Sequence, residues 1–328
     1  MSCRKPIRVG LFLPSYFDPG VSVPAAIEEL VARAQFAEDL GFDSLFLGHH
    51  LLSASQFLQP MSLAAYLAGV TNKIKIGLGV YLLPLSNPLA FAEEVATVSA
   101  LAQGRFICGI GAGYREREFI AVGVPFGERF KRIEEYVLVV QRLLSGESVT
   151  CTGSFGSLKN ATVQLAVNEI ARPELWMGAF GDSGIRRCGR IGLPWLAGPE
   201  GSIGTLRSRL EIYRDSLQQG GHEIPESVPI VRELLVGESD EIAISMARPY
   251  LEKQYATYKS WDHGLTSDDL INSDAVIGAP DTVADRLNQY RDLGFTEVIV
   301  RMDWPGMSLG DSKMSLTLLA RDVMPRLK

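Results

Sequence analysis

The stretch Gly41-Phe-Asp-Ser-Leu-Phe-Leu-Gly-His-His50 contains the unit from which the fold of this chain can be predicted. It follows a helical pattern over 25–40, and Gly41 can adopt the left-handed conformation that ends a helix. The apolar run 44–48 is typical of a buried strand and leads directly into two adjacent histidines. A helix, a turn and a buried strand in succession are the repeat of a parallel α/β protein.

The same alternation extends along the whole chain. The β-rich runs lie at 7–14, 44–48, 74–83, 106–110, 174–179, 195–197, 229–236 and 297–302. Helical patterns between them cover 25–40, 89–102, 130–144, 203–219, 242–259 and 282–293. Gly104 and Gly294 follow helical patterns as Gly41 does, and each can end a helix. Eight such units in 328 residues predict a (β/α)8 TIM barrel rather than an open doubly wound sheet.

We expect one barrel domain over 1–328 with two additions to the minimal fold. Residues 148–167 alternate polar and apolar side chains around glycines, which predicts an inserted hairpin after the fourth strand. Residues 260–275 are polar and predict a mobile loop before the eighth unit. This loop is either an active-site lid or a plain surface connection.

Composition limits the classes of partner. The net charge of −6, without a basic cluster, argues against nucleic acid and against a membrane surface, and it favours a small-molecule substrate. The N-terminus lacks the apolar core of a signal peptide, so we expect a cytoplasmic protein. The four cysteines are widely spaced, which predicts neither a disulfide framework nor a zinc site: Cys3, Cys108, Cys151 and Cys188.

The histidine pair is the first candidate for catalysis, because strand ends in a barrel present side chains to the loops that hold substrate. We therefore predict His50 and His49 as catalytic residues, although a polar strand end would give the same local pattern. If the strand continues through them, the two side chains point to opposite faces. They could not then share one metal ion, and we predict no metal site.

Two glycine-rich stretches follow strands. Gly109-Ile-Gly-Ala-Gly113 lacks the spacing of a dinucleotide-binding loop, because Tyr114 follows it. Its glycines either let a flat ligand approach the strand end or serve tight packing. The second stretch, 178–184, opens a helix and offers free backbone N–H groups to a phosphate. Asp182 and Ser183 could instead be the N-cap of that helix.

Charged and aromatic residues near strand ends are candidates for substrate binding. Arg232 and Glu233 interrupt an apolar run, and Arg301 lies near the expected mouth of the barrel. We interpret Arg301 as a contact for an anion or for the substrate. Aromatic residues at or beyond strand ends either line a mostly apolar pocket or pack the loops: Phe17, Phe57, Tyr81, Tyr114, Phe180 and Trp304.

The order of these motifs resembles the bacterial luciferase-like superfamily of flavin-dependent oxidoreductases over nearly the whole chain. The matching pieces are 41–50, 76–88, 104–114, Glu128-Arg129 with Glu134, and 277–283. The resemblance implies a (β/α)8 barrel that uses reduced FMN with oxygen, or coenzyme F420 for hydride transfer. It does not support light emission, because Leu51 occupies the place of a second histidine in luciferases.

The resemblance also implies roles for single residues. His50 takes the place of the active-site histidine, whereas His49 stands where the family usually has an acid. A non-prolyl cis peptide beneath the flavin ring falls on Gly79-Val80, and Ala112 replaces an arginine that can reach the flavin phosphate. Phosphate binding would then move to the turn at 178–184, helped by Arg129. The cofactor-binding residues predicted in this way are Gly79, Val80, Gly111, Ala112, Tyr114, Gly178, Ala179, Phe180, Gly181, Ser183 and Gly184.

Three hypotheses about function follow. The first is a monooxygenase that receives reduced FMN from a separate flavin reductase and oxygenates a small, mostly apolar molecule, with substrate contacts at Phe17, Phe57, Tyr81, Arg301 and Trp304. The second is an F420-dependent hydride-transfer enzyme, and the third is a catalytically silent flavin-binding protein. The family resemblance also implies a homodimer.

Overall fold

The structure, a computed structural model, describes residues 6–259, 271, 274–304 and 306–327, and the statements below concern these residues. The strands are β1 Arg8–Phe12, β2 Tyr16–Phe17, β3 Ser44–Leu47, β4 Gln56–Phe57, β5 Lys75–Leu78, β6 Tyr81–Leu82, β7 Phe106–Gly111, β8 Val149–Gly153, β9 Gly156–Ala161, β10 Glu174–Ala179, β11 Trp195–Ala197, β12 Pro229–Val236, β13 Val276–Gly278 and β14 Glu297–Arg301.

The helices alternate with these strands. They are α1 Val23–Asp39, α2 Pro60–Val70, α3 Pro88–Ala102, α4 Glu116–Ala121, α5 Arg129–Leu144, α6 Gly181–Ile191, α7 Ile203–Gln219, α8 Asp240–Lys259, α9 Pro280–Leu293 and α10 Leu309–Leu318. Short 3-10 turns at 83–85, 126–128 and 167–169 connect some of these elements.

The predicted fold class is correct. In the described part of the chain, the strands β1, β3, β5, β7, β10, β11, β12 and β14 each precede a helix, as in a (β/α)8 TIM barrel. Most positions in these strands are buried, which explains why they read as continuous apolar runs. The predicted strand 74–83 is divided into β5 and β6, and the three-residue strand β13 was not predicted.

The chain forms two compact units of contacting residues. Unit 1 comprises Met1–Pro14, Ala32–Phe46 and Ala179–Lys328. Its strands pair in parallel in the order β11, β12, β14, β1 and β3, and β13 adds to β12. The side chains of Leu11, Leu45 and Ile299 are fully buried in its core.

Unit 2 comprises Ser15–Val31 and Leu47–Gly178. Strand β7 is central, because β5, β6 and β10 all pair with it in parallel. Two antiparallel pairs complete the unit, β2 with β4 and β8 with β9. The second pair is the hairpin predicted within 148–167, and it lies between the fourth and fifth parallel strands as expected.

The other predictions about organisation have mixed outcomes. Gly41, Gly104 and Gly294 all have positive φ values after helices, as predicted. The predicted mobile loop at 260–275 lies outside the described residues except for 271, 274 and 275. The single domain over 1–328 stays a prediction. No helix in the described ranges is both long and apolar enough to cross a membrane.

Candidate active site

The histidine pair follows β3 in unit 2, and the elements that position it belong to the same unit. Strand β7 ends at Gly111, a short loop carries Tyr114, and α4 begins at Glu116. A helix that starts so soon after a strand presents its first turn beside the carboxyl end of the sheet. The first turn of α4 thereby brings Glu118 to His50.

His50 and Glu118 form a close polar contact in this site. The Nδ1 atom of His50 lies 2.9 Å from Oε1 of Glu118. The same oxygen accepts the backbone N–H of Leu51 at 3.0 Å. The His50 side chain is 20% exposed, whereas that of Glu118 is fully buried. The imidazole can therefore reach a ligand, and the carboxylate acts only through it.

Burial and neighbouring charges oppose each other at His50. Burial lowers its pKa, the hydrogen bond to Glu118 raises it, and the positive charge of Arg115 lowers it further. Arg115 approaches the same carboxylate oxygen, with Nη1 at 3.7 Å from Oε1 of Glu118. The net effect is a lowered pKa, which favours the neutral imidazole that can accept a proton.

His49 has a different environment. Its ring is buried and stacks on Tyr81 with 4.3 Å between the ring centroids. The backbone N–H of Leu82 donates to its Nδ1 at 3.1 Å, and Gln59 provides a side-chain hydrogen bond. Burial, followed by the charge of His50, lowers the pKa of His49 to about 4. These contacts tie His49 to the segment 81–82, and its predicted catalytic role stays a prediction.

Val80 explains the glycines of the neighbouring strands. A Cβ atom on Gly111 would lie 2.4 Å from Cγ2 of Val80, and one on Gly178 would lie 2.7 Å from Cγ1. A Cβ on Gly109 would lie 2.0 Å from the carbonyl oxygen of Leu78. Of the two interpretations of the 109–113 stretch, these contacts favour tight packing, because a side chain of this protein fills the space.

The peptide bond between Gly79 and Val80 is cis, as the family resemblance implies. Gly79, Val80 and Tyr81 are partly exposed at the end of β5. Ala112 and Tyr114 are also partly exposed, at the end of the adjacent β7. The predicted ring-binding residues of unit 2 therefore offer an accessible and mostly apolar surface.

Two aromatic rings border His50. The ring of Tyr114 meets the imidazole edge to face at 5.6 Å, and its hydroxyl lies 3.4 Å from Nε2. The ring of Phe57 meets it edge to face at 6.0 Å. Phe57 belongs to β4, and Phe17 belongs to the paired strand β2. Two of the aromatic residues predicted for the pocket, Tyr114 and Phe57, thus contact His50, whereas Tyr81 lies against His49.

The turn before α6 in unit 1 was interpreted either as a phosphate site or as an N-cap formed by Asp182 or Ser183. The N-cap of α6 is Phe180, without a side-chain hydrogen bond, so the alternative that Asp182 or Ser183 is the N-cap is wrong. Gly181 has φ of +66° and the first-turn N–H groups have no side-chain cap. Asp182 in this turn opposes an anion by its charge. The binding of phosphate here stays a prediction.

Arg301 and Trp304 in unit 1 contact a buried carboxylate. Nε of Arg301 donates to Oε1 of Glu233 at 2.8 Å, and the indole N–H of Trp304 donates to Oε2 at 2.6 Å. The hydroxyl of Tyr255 also donates to Oε1, at 2.8 Å. Trp304 is only 3% exposed and packs in an apolar cluster with Leu235. These contacts give both predicted substrate residues a structural role, and their contact with substrate stays a prediction.

Glu118 is the residue that our sequence analysis missed. We noted that His49 replaces the expected acid beside His50, yet the carboxylate comes from a position 68 residues further along the chain. The only signal was an acidic residue directly before the apolar Phe119 in the highly charged run 115–118. In the described ranges no three potential metal-ligating side chains come together.

The chain is similar to known proteins over most of its length. The sequence model described as luciferase-like monooxygenase matches residues 7–297. The alkanal monooxygenase alpha chain of Photorhabdus luminescens is 23% identical over 254 residues, which cover 77% of this chain and 71% of the relative. The F420-dependent glucose-6-phosphate dehydrogenase of Microbacterium testaceum is 26% identical over 334 residues, which cover 92% and 93%.

A solved structure shows the fold independently. The monooxygenase RslO1 from Streptomyces bottropensis superimposes with a TM-score of 0.88 at 21% identity, and the match covers 98% of this chain and 100% of that one. At this identity the likeness concerns the fold alone.

Proposed function

The chain belongs to the luciferase-like monooxygenase family, and we propose that it uses reduced FMN and oxygen to oxygenate a small, mostly apolar organic molecule. The family assigns it to the flavin-type oxidoreductases, whose relatives include monooxygenases and F420-dependent enzymes. The choice of FMN and of oxygenation is the proposal.

One observation carries this choice. The partly exposed ring of His50 meets the rings of Tyr114 and Phe57 edge to face and is backed by a buried carboxylate. An apolar border around a single base excludes water while a proton moves. Oxygen transfer from a reduced flavin needs such exclusion, because water otherwise consumes the activated oxygen.

The residues of unit 2 fit a flavin ring. Val80 sits in the space that Gly111 and Gly178 leave, and it stays partly exposed, so it can support a flat aromatic system. Tyr114 and Ala112 border the same strand ends. Bound reduced FMN would supply the electrons that activate oxygen.

The protein's own residues would then orient the substrate and handle its proton. A substrate group with an O–H or N–H bond would approach Nε2 of His50, which is within reach of the Tyr114 hydroxyl at 3.4 Å. His50 would accept that proton, and Glu118 would stabilise the imidazolium through Nδ1. Phe57 and Tyr114 would keep water from the reacting atoms.

We further propose two partners. A separate flavin reductase would supply reduced FMN. A second copy of the chain would form a homodimer. Oxygen consumption with and without an added reductase tests the first, and light scattering of the purified protein tests the second.

A second candidate function is hydride transfer with F420. It is favoured by the F420-dependent relative, which matches 92% of this chain, more than the 77% matched by the alkanal monooxygenase. Against it stands the negative net charge of the chain, because F420 has an anionic tail. A silent flavin-binding protein is the third candidate, and a His50→Ala variant with unchanged turnover would favour it.

The deciding experiment compares the two cofactors. Dissociation constants for reduced FMN and reduced F420 are measured side by side under anaerobic conditions, and oxygen is then admitted to the FMN complex. We expect tighter binding of FMN, a slower return of oxidised-flavin absorbance than in free solution, and incorporation of labelled oxygen into a substrate from a panel of small apolar molecules. Micromolar binding of F420 with none of FMN would overturn the proposal.

A further inference from the structure

In the two adjacent histidines, the ring atom Nδ1 has a different kind of hydrogen-bond partner. Nδ1 of His49 faces a donor, the backbone N–H of Leu82 at 3.1 Å. Nδ1 of His50 faces an acceptor, Oε1 of Glu118 at 2.9 Å. A neutral imidazole has one protonated and one unprotonated nitrogen, so the two rings cannot hold their protons on the same atom.

The role of Glu118 as an acceptor follows from a second contact. The backbone N–H of Leu51 donates to the same Oε1 at 3.0 Å. The oxygen of an ionised carboxylate can only accept hydrogen bonds, so Nδ1 of His50 carries the proton. Nε2 is then left with the lone pair, and it faces the hydroxyl of Tyr114 at 3.4 Å.

We infer that Glu118 is a positioning residue that holds the proton of His50 on Nδ1 and thereby makes Nε2 the base of the site, while Leu82 holds His49 in the opposite tautomer. The carboxylate partner that His50 lacks next to it in sequence is thus supplied by α4. Glu118 is fully buried, so its effect reaches a substrate only through the imidazole.

The proton transfer itself balances simply. The O–H bond of a substrate breaks, an N–H bond forms at Nε2, and the electron pair stays on the substrate oxygen. His50 becomes an imidazolium whose Nδ1–H faces the carboxylate. The contact of Tyr114 with Nε2 is at the long limit of a hydrogen bond, so a substrate hydroxyl can replace it.

In the described part of the chain, charged groups that act on His50 lie on α4, at the N-cap of α4, and next to His50 in the sequence. Glu118 and Arg115 belong to α4 and its N-cap, Arg117 lies on the same helix, and His49 is adjacent in the chain. Arg115 and Arg117 both disfavour the imidazolium, and Glu118 favours it. Loss of the Glu118 charge would therefore make Nε2 a weaker base.

The test uses the full chain labelled with ¹⁵N-histidine, without added flavin. The chain has four histidines, and the spectrum of a His50→Gln variant identifies the signals of His50. Above the pKa of both rings, we expect a protonated Nδ1 in His50 and a protonated Nε2 in His49. His50 protonated on Nε2 in the wild type would overturn the inference.

Two substitutions separate the effect of the negative charge of Glu118 from the effect of its hydrogen-bond acceptor. In Glu118→Gln the amide oxygen still accepts from His50 and Leu51, so we expect the same tautomer with a lower pKa of His50. In Glu118→Ala the acceptor is lost, and we expect the Nε2-protonated form that free histidine prefers. The control is Glu116→Gln, an exposed residue on the same helix, which should change neither the tautomer nor the pKa.

If Glu118→Ala fails to fold, Glu118→Gln decides alone, and an unchanged pKa of His50 overturns the inference. The inference that Nε2 of His50 acts as a base in catalysis rests on the proposed function. With reduced FMN and an accepted substrate, Glu118→Gln should lower kcat about tenfold or more at unchanged KM and move the acid limb of the pH profile to lower pH. Since the NMR measurement needs no flavin, the predicted tautomers without any FMN turnover would overturn the proposed function only.

Discussion

Val80 occupies the space that Gly111 leaves open: a Cβ atom on residue 111 would lie 2.4 Å from Cγ2 of the valine. Real side chains do not approach this closely, so the glycine is required by a neighbour in the sheet and not by the conformation of its own backbone. Gly178 stands in the same relation to Cγ1 of Val80 at 2.7 Å.

Gly111→Ala should therefore displace Val80 and destabilise the protein by about 1 to 3 kcal/mol, the usual range for overpacking. It should also weaken flavin binding, since Val80 supports the proposed ring site. Urea denaturation and the dissociation constant for reduced FMN measure the two effects. Gly69→Ala is the matched control, because Gly69 is exposed in α2 and an added Cβ meets nothing within 4 Å. A Gly111→Ala protein as stable as this control would contradict the packing argument.

Replacing the proposed base should affect chemistry more than folding. We expect His50→Gln to lower kcat between about a hundredfold and ten-thousandfold, because general acid–base catalysis contributes this much. Steady-state kinetics with reduced FMN measure the loss, and thermal unfolding measures stability. His222→Gln, a change at an exposed histidine in unit 1, should leave kcat unchanged. Equal losses in both variants would argue against a role for His50 in proton transfer.

His49 should make the protein less stable in mild acid. Its pKa is about 4 when folded, against 6.5 for a histidine free in water, so between these values the unfolded chain binds the additional proton. Stability is therefore fully present above pH 6.5 and is lost as the pH falls towards 4. From pH 7.5 to pH 5 this one group should remove about 2 kcal/mol.

Urea denaturation of the wild type and of His49→Asn at both pH values measures this contribution. The asparagine does not titrate, so the loss on acidification should be smaller in the variant by about that amount. The matched control is His222→Asn, a substitution at an exposed histidine. An identical loss in His49→Asn would show that the depressed pKa is not the cause.

The carboxylate of Glu233 should be important for stability. It is fully buried and accepts hydrogen bonds from Arg301, Tyr255 and Trp304. Glu233→Gln removes the buried negative charge that Arg301 contacts, and breaking a buried pair in this way costs about 3 to 5 kcal/mol. Denaturation of this variant against Glu238→Gln, whose side chain is exposed, measures the difference. A cost below about 1 kcal/mol would mean that solvent screens the pair.

The fold could be predicted from sequence because local signals coincide with the structure. Predicted strands at 174–179, 195–197 and 229–236 match the observed bounds, since buried parallel strands read as continuous apolar runs between helices. Strand β13 was not predicted, although β11, which also has three residues, was. The division of 74–83 into β5 and β6 was not predicted either; the family resemblance implied only the cis peptide at Gly79-Val80.

The site could be predicted only in part. His50 was identifiable from its place at a strand end, but its partner depends on where α4 lies after β7. Nothing local distinguishes Glu118 from Glu116, two residues earlier on the same helix. Likewise, the glycines at 109–113 admitted two interpretations until the position of Val80 favoured one. Contacts across the sheet, rather than propensities, decide such cases.

The glycine pair also determines how the strands align as the chain folds. Gly111 and Gly178 are register partners in β7 and β10, and both leave room for one valine. A slip by one residue would place Ile110 or Ala112 opposite Gly178 and would turn the side chains of β7 to the other face. Val80 would then meet a side chain where it now meets none. Steric overlap with Val80 thus disfavours misaligned pairings of β7 with β10.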